Sequence, residues 1–320
     1  MLPRLWAARL AVTTVLFVPG GWLSSAGSGA LAGTGALAGT GAVSRPAAGR
    51  AAPAGSRARL AVRAEIQVAA IQPAPLVADP SPASTKRGLP APPMTAAMLR
   101  ADALKQAMAR SFLHAMSSHA GPGVKCTRRA CRRGLPAARS LKATQRPQIT
   151  NFYCGPATVS EMLRQVGVKI SQKTAARELR TTQGGTDWSD ARGYPVPHVL
   201  NADQRRNVYV AVALPWVPTN RQVRTYENDL VTDINRHGGA PLAGNAFEVP
   251  GGPHLVGHPA NQEISHWFDI RGYRNYGATT LYEDSVHGAP NIGWSASVPA
   301  YSALSSRTIV NILGARGYDW

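Results

Sequence analysis

Acidic residues are scarce in the first half of this 320-residue chain. Before Gln148 there are three (Glu65, Asp79 and Asp102) against 20 lysines and arginines, whereas the remainder carries 14 acids and 15 bases. The net charge of +18 therefore belongs almost wholly to one end. That end is also poor in aromatic residues, so it lacks the rings on which nucleic-acid bases stack, and no nucleic-acid partner is expected. Its charge suits an anionic surface such as a cell-wall polymer, beside the simpler reading of a solvated basic arm.

Long apolar runs are missing too. Leu10 to Val18 spans nine residues, well short of the roughly 20 that a membrane-crossing helix needs, and Pro19-Gly20-Gly21 ends it. Arg4 and Arg9 precede the run, and small-residue sites follow at Ser24-Ser25-Ala26 and Ala30-Leu31-Ala32. This is the pattern of a secretory signal peptide over residues 1–32, so the expected location is extracellular or at the cell surface. The next stretch, 33–94, has little with which to build a core. It begins inside a duplicated GALAGT unit (Gly29 to Thr40) and continues rich in Ala, Pro, Gly and Arg. A low-complexity, largely disordered linker is expected.

Residues 95–146 form a third, basic segment. Met98, Leu99, Leu104, Met108, Phe112 and Met116 recur at helical spacing after Thr95, a good N-cap, which predicts an amphipathic helix from Thr95 to His119 with those residues inward. Such a helix either packs on a domain edge or acts as a pro-segment. From residue 147 to 320 the charge is balanced and the periodicities alternate, so the globular domain lies there. Helices are predicted over Cys154 to Val166 and Gln222 to His237, and strands over Val208 to Leu214 and Ala240 to Val249. A hairpin follows, His266 to Tyr273 and Ala278 to Asp284, turning at Arg274 to Gly277. The fold class is α+β, and a monomer is expected.

Cysteine is rare: Cys126, Cys131 and Cys154 only. In an exported chain an odd count leaves one thiol over. Cys126 and Cys131 lie close enough in sequence to close a local disulfide. The same pair lacks further Cys or His at finger spacing and is crowded by cations, which argues against zinc. Cys154 is then the unpaired thiol, either an inert buried one or a reactive one.

Its neighbours favour reactivity. Cys154 stands where loop becomes helix, with Pro156 suited to a first helical turn, and unpaired amides at a helix start stabilise a thiolate. Gly155 leaves space beside the sulfur for a substrate carbonyl. Gln148, six residues upstream, is a candidate oxyanion donor together with the Cys154 amide. Of the histidines in this domain (His198, His237, His254, His258, His266 and His287), His266 opens an apolar strand, and Asp284 ends the partner strand across the hairpin. A Cys154/His266/Asp284 set follows. His198, His237 and His287 read as ordinary structural side chains.

The run Gln148…Cys154-Gly-Pro-Ala, then Ser265-His266-Trp-Phe-Asp-Ile-Arg-Gly-Tyr273, then Tyr282-Glu-Asp284, resembles the C39-like branch of the papain-like cysteine peptidases. The resemblance covers about residues 147–320. It implies a papain-like fold, with an active-site helix packed on an antiparallel sheet. It also implies Cys154 for attack, His266 as base and acid, Asp284 as orienter, and Gln148 in the oxyanion hole. No cofactor and no metal are implied, and the substrate would be a peptide or protein. Relatives that mature leader peptides are commonly fused to an exporter. This chain has neither a Walker loop nor a transmembrane bundle, so that role is not expected. Two other uses of such a domain remain open: a transamidase working through the same thioester, and a non-catalytic module that binds an anionic cell surface.

Overall fold

The computed structural model describes residues 90–118 and 134–320. The expected signal peptide, most of the linker, and Cys126 with Cys131 lie outside the described residues. Six α-helices are present there: α1 (Ala96–Ser118), α2 (Cys154–Gln165), α3 (Gln172–Leu179), α4 (Pro195–Asp203), α5 (Asn220–Asn235) and α6 (Ser306–Ile312). Seven strands accompany them: β1 (Arg139–Ser140), β2 (Ala211–Ala213), β3 (Leu242–Glu248), β4 (Ile264–Arg274), β5 (Thr279–Glu283), β6 (Tyr301–Ser305) and β7 (Gly317–Asp319). They form one antiparallel sheet in the order β2-β7-β3-β4-β5-β6, with β1 paired to the far end of β4. None of the described helices is long and apolar enough to cross a membrane.

The helix boundaries follow local chemistry. The Ser171 hydroxyl caps α3 by accepting from the Thr174 amide at 3.0 Å. Thr219 and Gln222 form a reciprocal capping box at the start of α5. Side chains alternate across the sheet, so adjacent residues serve different cores. Trp267 on β4 and Ala243 on β3 join Val159, Met162 and Leu163 of α2 and Val199 and Leu200 of α4. Phe268 and Ile270 on β4 join Tyr226 and Leu230 of α5 and Ile309 and Val310 of α6. The sheet is thus covered on both faces, and β3 and β4 run through its middle.

Several expectations shift. The strand foreseen at Val208 to Leu214 shrinks to β2, and β1, β6 and β7 were not anticipated. The hairpin is present, with Asp284 one residue beyond β5. Its turn places Asn275, Tyr276 and Gly277 all at positive φ, the last at +95°. Helix α1 forms where expected, and the Thr95 hydroxyl accepts from the Met98 amide at 3.2 Å. Its expected inward face is met in part, since Met98, Phe112 and Met116 pack against the core as expected. Leu99, Leu104 and Met108 are exposed (54%, 70% and 45%), whereas Lys105 is buried with Ala109. The reason is an ion pair: the Lys105 ammonium lies 2.8 Å from Asp233 Oδ2 on α5 and 4.3 Å from the Trp320 ring centre. Gln106 adds two 2.9 Å hydrogen bonds to Asp229, and the Trp320 indole donates to Asp102 at 3.1 Å. Polar complementarity with α5 sets the rotation of α1 together with the apolar contacts of Met98, Phe112 and Met116.

Candidate functional site

Cys154 is the first residue of α2 and is buried, 8% exposed. Tyr153 precedes it with no side-chain cap, and Pro156 occupies the first turn. The sulfur interacts with the His266 ring and with the backbone amides of Trp267 and Gly155. Burial pushes the thiol up, but the His266 hydrogen bond and charge, with those two amides, outweigh it and hold the thiol below its ordinary range. His266 responds in the opposite sense. Burial lowers its affinity for a proton, yet the Asp284 carboxylate and the Cys154 sulfur raise it well above the ordinary imidazole range. Each of the two groups thus shifts the other toward its charged form.

His266 Nε2 lies 3.1 Å from Asp284 Oδ1. Since Nε2 is engaged there, Nδ1 is the nitrogen left for the sulfur. Asp284 Oδ1 also accepts from the Val286 amide at 2.9 Å. Burial alone would raise the Asp284 pKa, but the His266 charge and hydrogen bonds from His258 and His266 hold it well below the usual carboxylate range. Gln148 is buried near the same end. Its amide donates to Ser285 O at 2.8 Å, its side-chain oxygen accepts from Ser285 Oγ at 3.1 Å, and its Nε2 donates to Thr150 O at 2.7 Å. The side chain is therefore fixed against the residue that follows Asp284.

Sequence reasoning passed over two members of this group. His258 Nε2 reaches Asp284 Oδ2 at 3.0 Å, and His258 Nδ1 reaches Glu248 Oε2 at 2.9 Å. Glu248 ends β3, and its other oxygen accepts from the Leu255 amide at 2.9 Å. The available signal was the bend Pro250-Gly-Gly-Pro-His254, which brings the chain back over β3. The other histidines sit elsewhere. His198 and His237 are exposed, His254 bridges Gly252 O and Gln262 O, and His287 Nδ1 lies 2.7 Å from Val298 O.

Gly155 has a packing role as well: a β-carbon there would lie 2.3 Å from Thr186 Oγ1. Thr186 belongs to the loop between α3 and α4. Its hydroxyl pairs with Thr181 Oγ1 at 2.7 Å, and its carbonyl accepts from the Trp267 indole at 2.9 Å. Trp188 stacks on Trp267 with ring centres 6.0 Å apart.

A second buried cluster repeats the geometry one layer further in. Glu161 on α2, Asp269 on β4 and Glu283 on β5 each bring a carboxylate oxygen within 4.8 Å of the others. Asp269 and Glu283 are cross-strand partners, which puts both on one face. Glu283 accepts from the Thr144 amide at 2.9 Å and lies 3.4 Å from Arg271 Nε, and Glu161 accepts from the Arg146 amide at 2.7 Å. Burial and mutual repulsion raise Glu161 and Asp269 well above the carboxylate range, and burial pushes Glu283 to about 7.

The class that these observations define is a helix-start thiol joined to a buried imidazole and carboxylate, on a mixed scaffold of helices and antiparallel sheet. No protein-family model matches the chain, and no curated protein matches it in sequence. Solved structures similar to it include the peptidase domain of ComA from Streptococcus, a bifunctional ABC transporter involved in quorum sensing. It is 16% identical with a TM-score of 0.34, over 56% of this chain and 96% of that one. Another is a C39-like peptidase from Bacillus anthracis, 10% identical with a TM-score of 0.34, over 57% of this chain and 96% of that one.

Proposed function

We propose that the chain is a secreted cysteine peptidase of the C39-like, papain-like kind, hydrolysing peptide or amide bonds through Cys154, His266 and Asp284. The observation that carries this reading is the continuous run from the Cys154 sulfur through His266 to Asp284, at the start of a buried helix. The Cys154 thiolate attacks the carbonyl carbon, and the oxyanion is held by the Cys154 amide and one Gln148 side-chain N–H. Nε2 of Gln148 has two hydrogens and gives one to Thr150 O, so the second serves the oxyanion. His266 passes its Nδ1 proton to the departing amine, which leaves a thioester on Cys154. It then takes a proton from water as the hydroxide attacks that thioester, and the acid is released with the Cys154 thiolate and protonated His266 restored. Asp284 keeps Nε2 protonated throughout and fixes the ring plane.

The signal-like start of the chain supports an extracellular location, and its basic arm suits an anionic cell wall. The enzyme reading is tested by labelling the protein, without residues 1–32, with a thiol-directed peptidase inhibitor and by a peptide-hydrolysis screen. We expect a single adduct on Cys154 and loss of both label and turnover in Cys154→Ala. Full turnover in Cys154→Ala would sink the reading.

A further inference from the structure

Asp284 serves two imidazoles, and the mechanism above uses only one. His258 lies between Glu248 and Asp284, at 2.9 Å and 3.0 Å, with its side chain fully enclosed. Both neighbours are carboxylates held in place by backbone amides, at Leu255 and Val286. An ionised carboxylate only accepts, so each ring nitrogen of His258 must carry a hydrogen. The side chain is then an imidazolium by donor count alone. Its raised affinity for a proton agrees: burial lowers it, and hydrogen bonds to Asp284 and Glu248 more than restore it. Trp294 covers the ring edge-on at 4.8 Å between centres.

Carboxylates and imidazoles alternate along the chain of contacts, from Glu248 through His258, Asp284 and His266 to the Cys154 sulfur. The two imidazole rings are 5.4 Å apart, centre to centre, and each takes one oxygen of Asp284. Two consequences follow. The carboxylate cannot rotate, because both oxygens are engaged. The second cation also repels a proton on His266, offsetting part of what Asp284 contributes. An imidazolium gripped too firmly cannot release its proton to a leaving amine.

We propose that His258, anchored by Glu248, is a positioning residue that shares Asp284 with His266 and so keeps the His266 proton transferable. This rests on the peptidase reading of Cys154 and His266. Glu161 on α2 also faces Asp284 and His266, and the Tyr282 hydroxyl, which accepts from the Val256 amide at 2.9 Å, closes the group from β5.

The test needs no known substrate. The rate of Cys154 alkylation by iodoacetamide is followed against pH by mass spectrometry of the Cys154 peptide, which separates it from Cys126 and Cys131. In the wild type the thiolate is reactive over a plateau whose upper edge marks loss of the His266 proton. His258→Gln keeps a donor for Asp284 Oδ2 and removes the charge. Glu248→Gln leaves His258 free to become neutral while still donating to Asp284. In both, the upper edge should move up by on the order of one pH unit, and inhibitor-defined acylation should slow at least several-fold at neutral pH. A purely structural His258 would lower the melting temperature and leave that edge in place. An edge unmoved or lowered in both variants overturns the proposal. A wild-type Cys154 that alkylates as an ordinary thiol, with no plateau, overturns the underlying peptidase reading instead.

Discussion

Replacing Glu283 with glutamine should flatten the dependence of stability on pH. Glu283 is buried beside Asp269 and Glu161, and its pKa rises from 4.5 to about 7 on folding. The folded state therefore still holds a proton that the unfolded chain has released between those values. A carboxyl raised in this way lowers stability as pH climbs through the window, and its full cost is present above about pH 7. A gap of about 2.5 units corresponds to about 3 kcal/mol at pH 8 and to nothing at pH 4. Glutamine cannot ionise, still offers an oxygen to the Thr144 amide, and brings an N–H group to carboxylates that are otherwise crowded. Urea unfolding at pH 5 and pH 8, followed by tryptophan fluorescence, should give a difference between the two pH values smaller by up to about 3 kcal/mol in the variant. Identical pH dependence in the two proteins would refute the claim that this cluster is a buried, mutually repelling set.

Two shorter expectations follow from the site. Asp284→Asn keeps the shape but removes the charge and leaves one accepting oxygen for two imidazoles, so kcat/KM should fall at least about tenfold with KM little changed. Stopped-flow hydrolysis of any substrate found in the screen checks this, and a loss under tenfold would argue against Asp284 as the orienter. Gly155→Ala drives a methyl into Thr186 and should cost about 1–3 kcal/mol in thermal unfolding. Thr186→Ala combined with it should recover part of that loss.

The elements nearest the chemistry were the legible ones. A nucleophile at a loop-to-helix step needs a small residue and a helix starter behind it, and Gly155-Pro156-Ala157 supplies them in sequence order. Hairpin β4–β5 was legible because alternation and a turn are local signals, which also put Asp284 beside the start of β4. His258 and Glu248 were not. Ten positions and a Pro/Gly-rich bend separate Glu248, at the end of β3, from His258, which lies in no periodic run, so only the three-dimensional return of that bend reveals the pair. Helix α1 was half legible: Met98, Phe112 and Met116 pack inward as their period predicts, whereas Leu99, Leu104 and Met108 are exposed beside the buried Lys105 that meets Asp233. Strand β7 reaches β2 and β3 only through long-range pairing, which no local pattern encodes.

Thr186 touches the neighbour of each reacting residue. Its hydroxyl fills the space over Gly155, next to Cys154, and its carbonyl holds the Trp267 indole, next to His266. The turn that carries it is closed on itself by two 3.0 Å bonds between Thr182 and Gly185. In engineering terms this loop works as a spacer between helix and strand. Variation at the exposed tip, Gln183 and Gly184, leaves this spacing intact, whereas a change at Thr181 or Thr186 would alter the gap between Cys154 and His266.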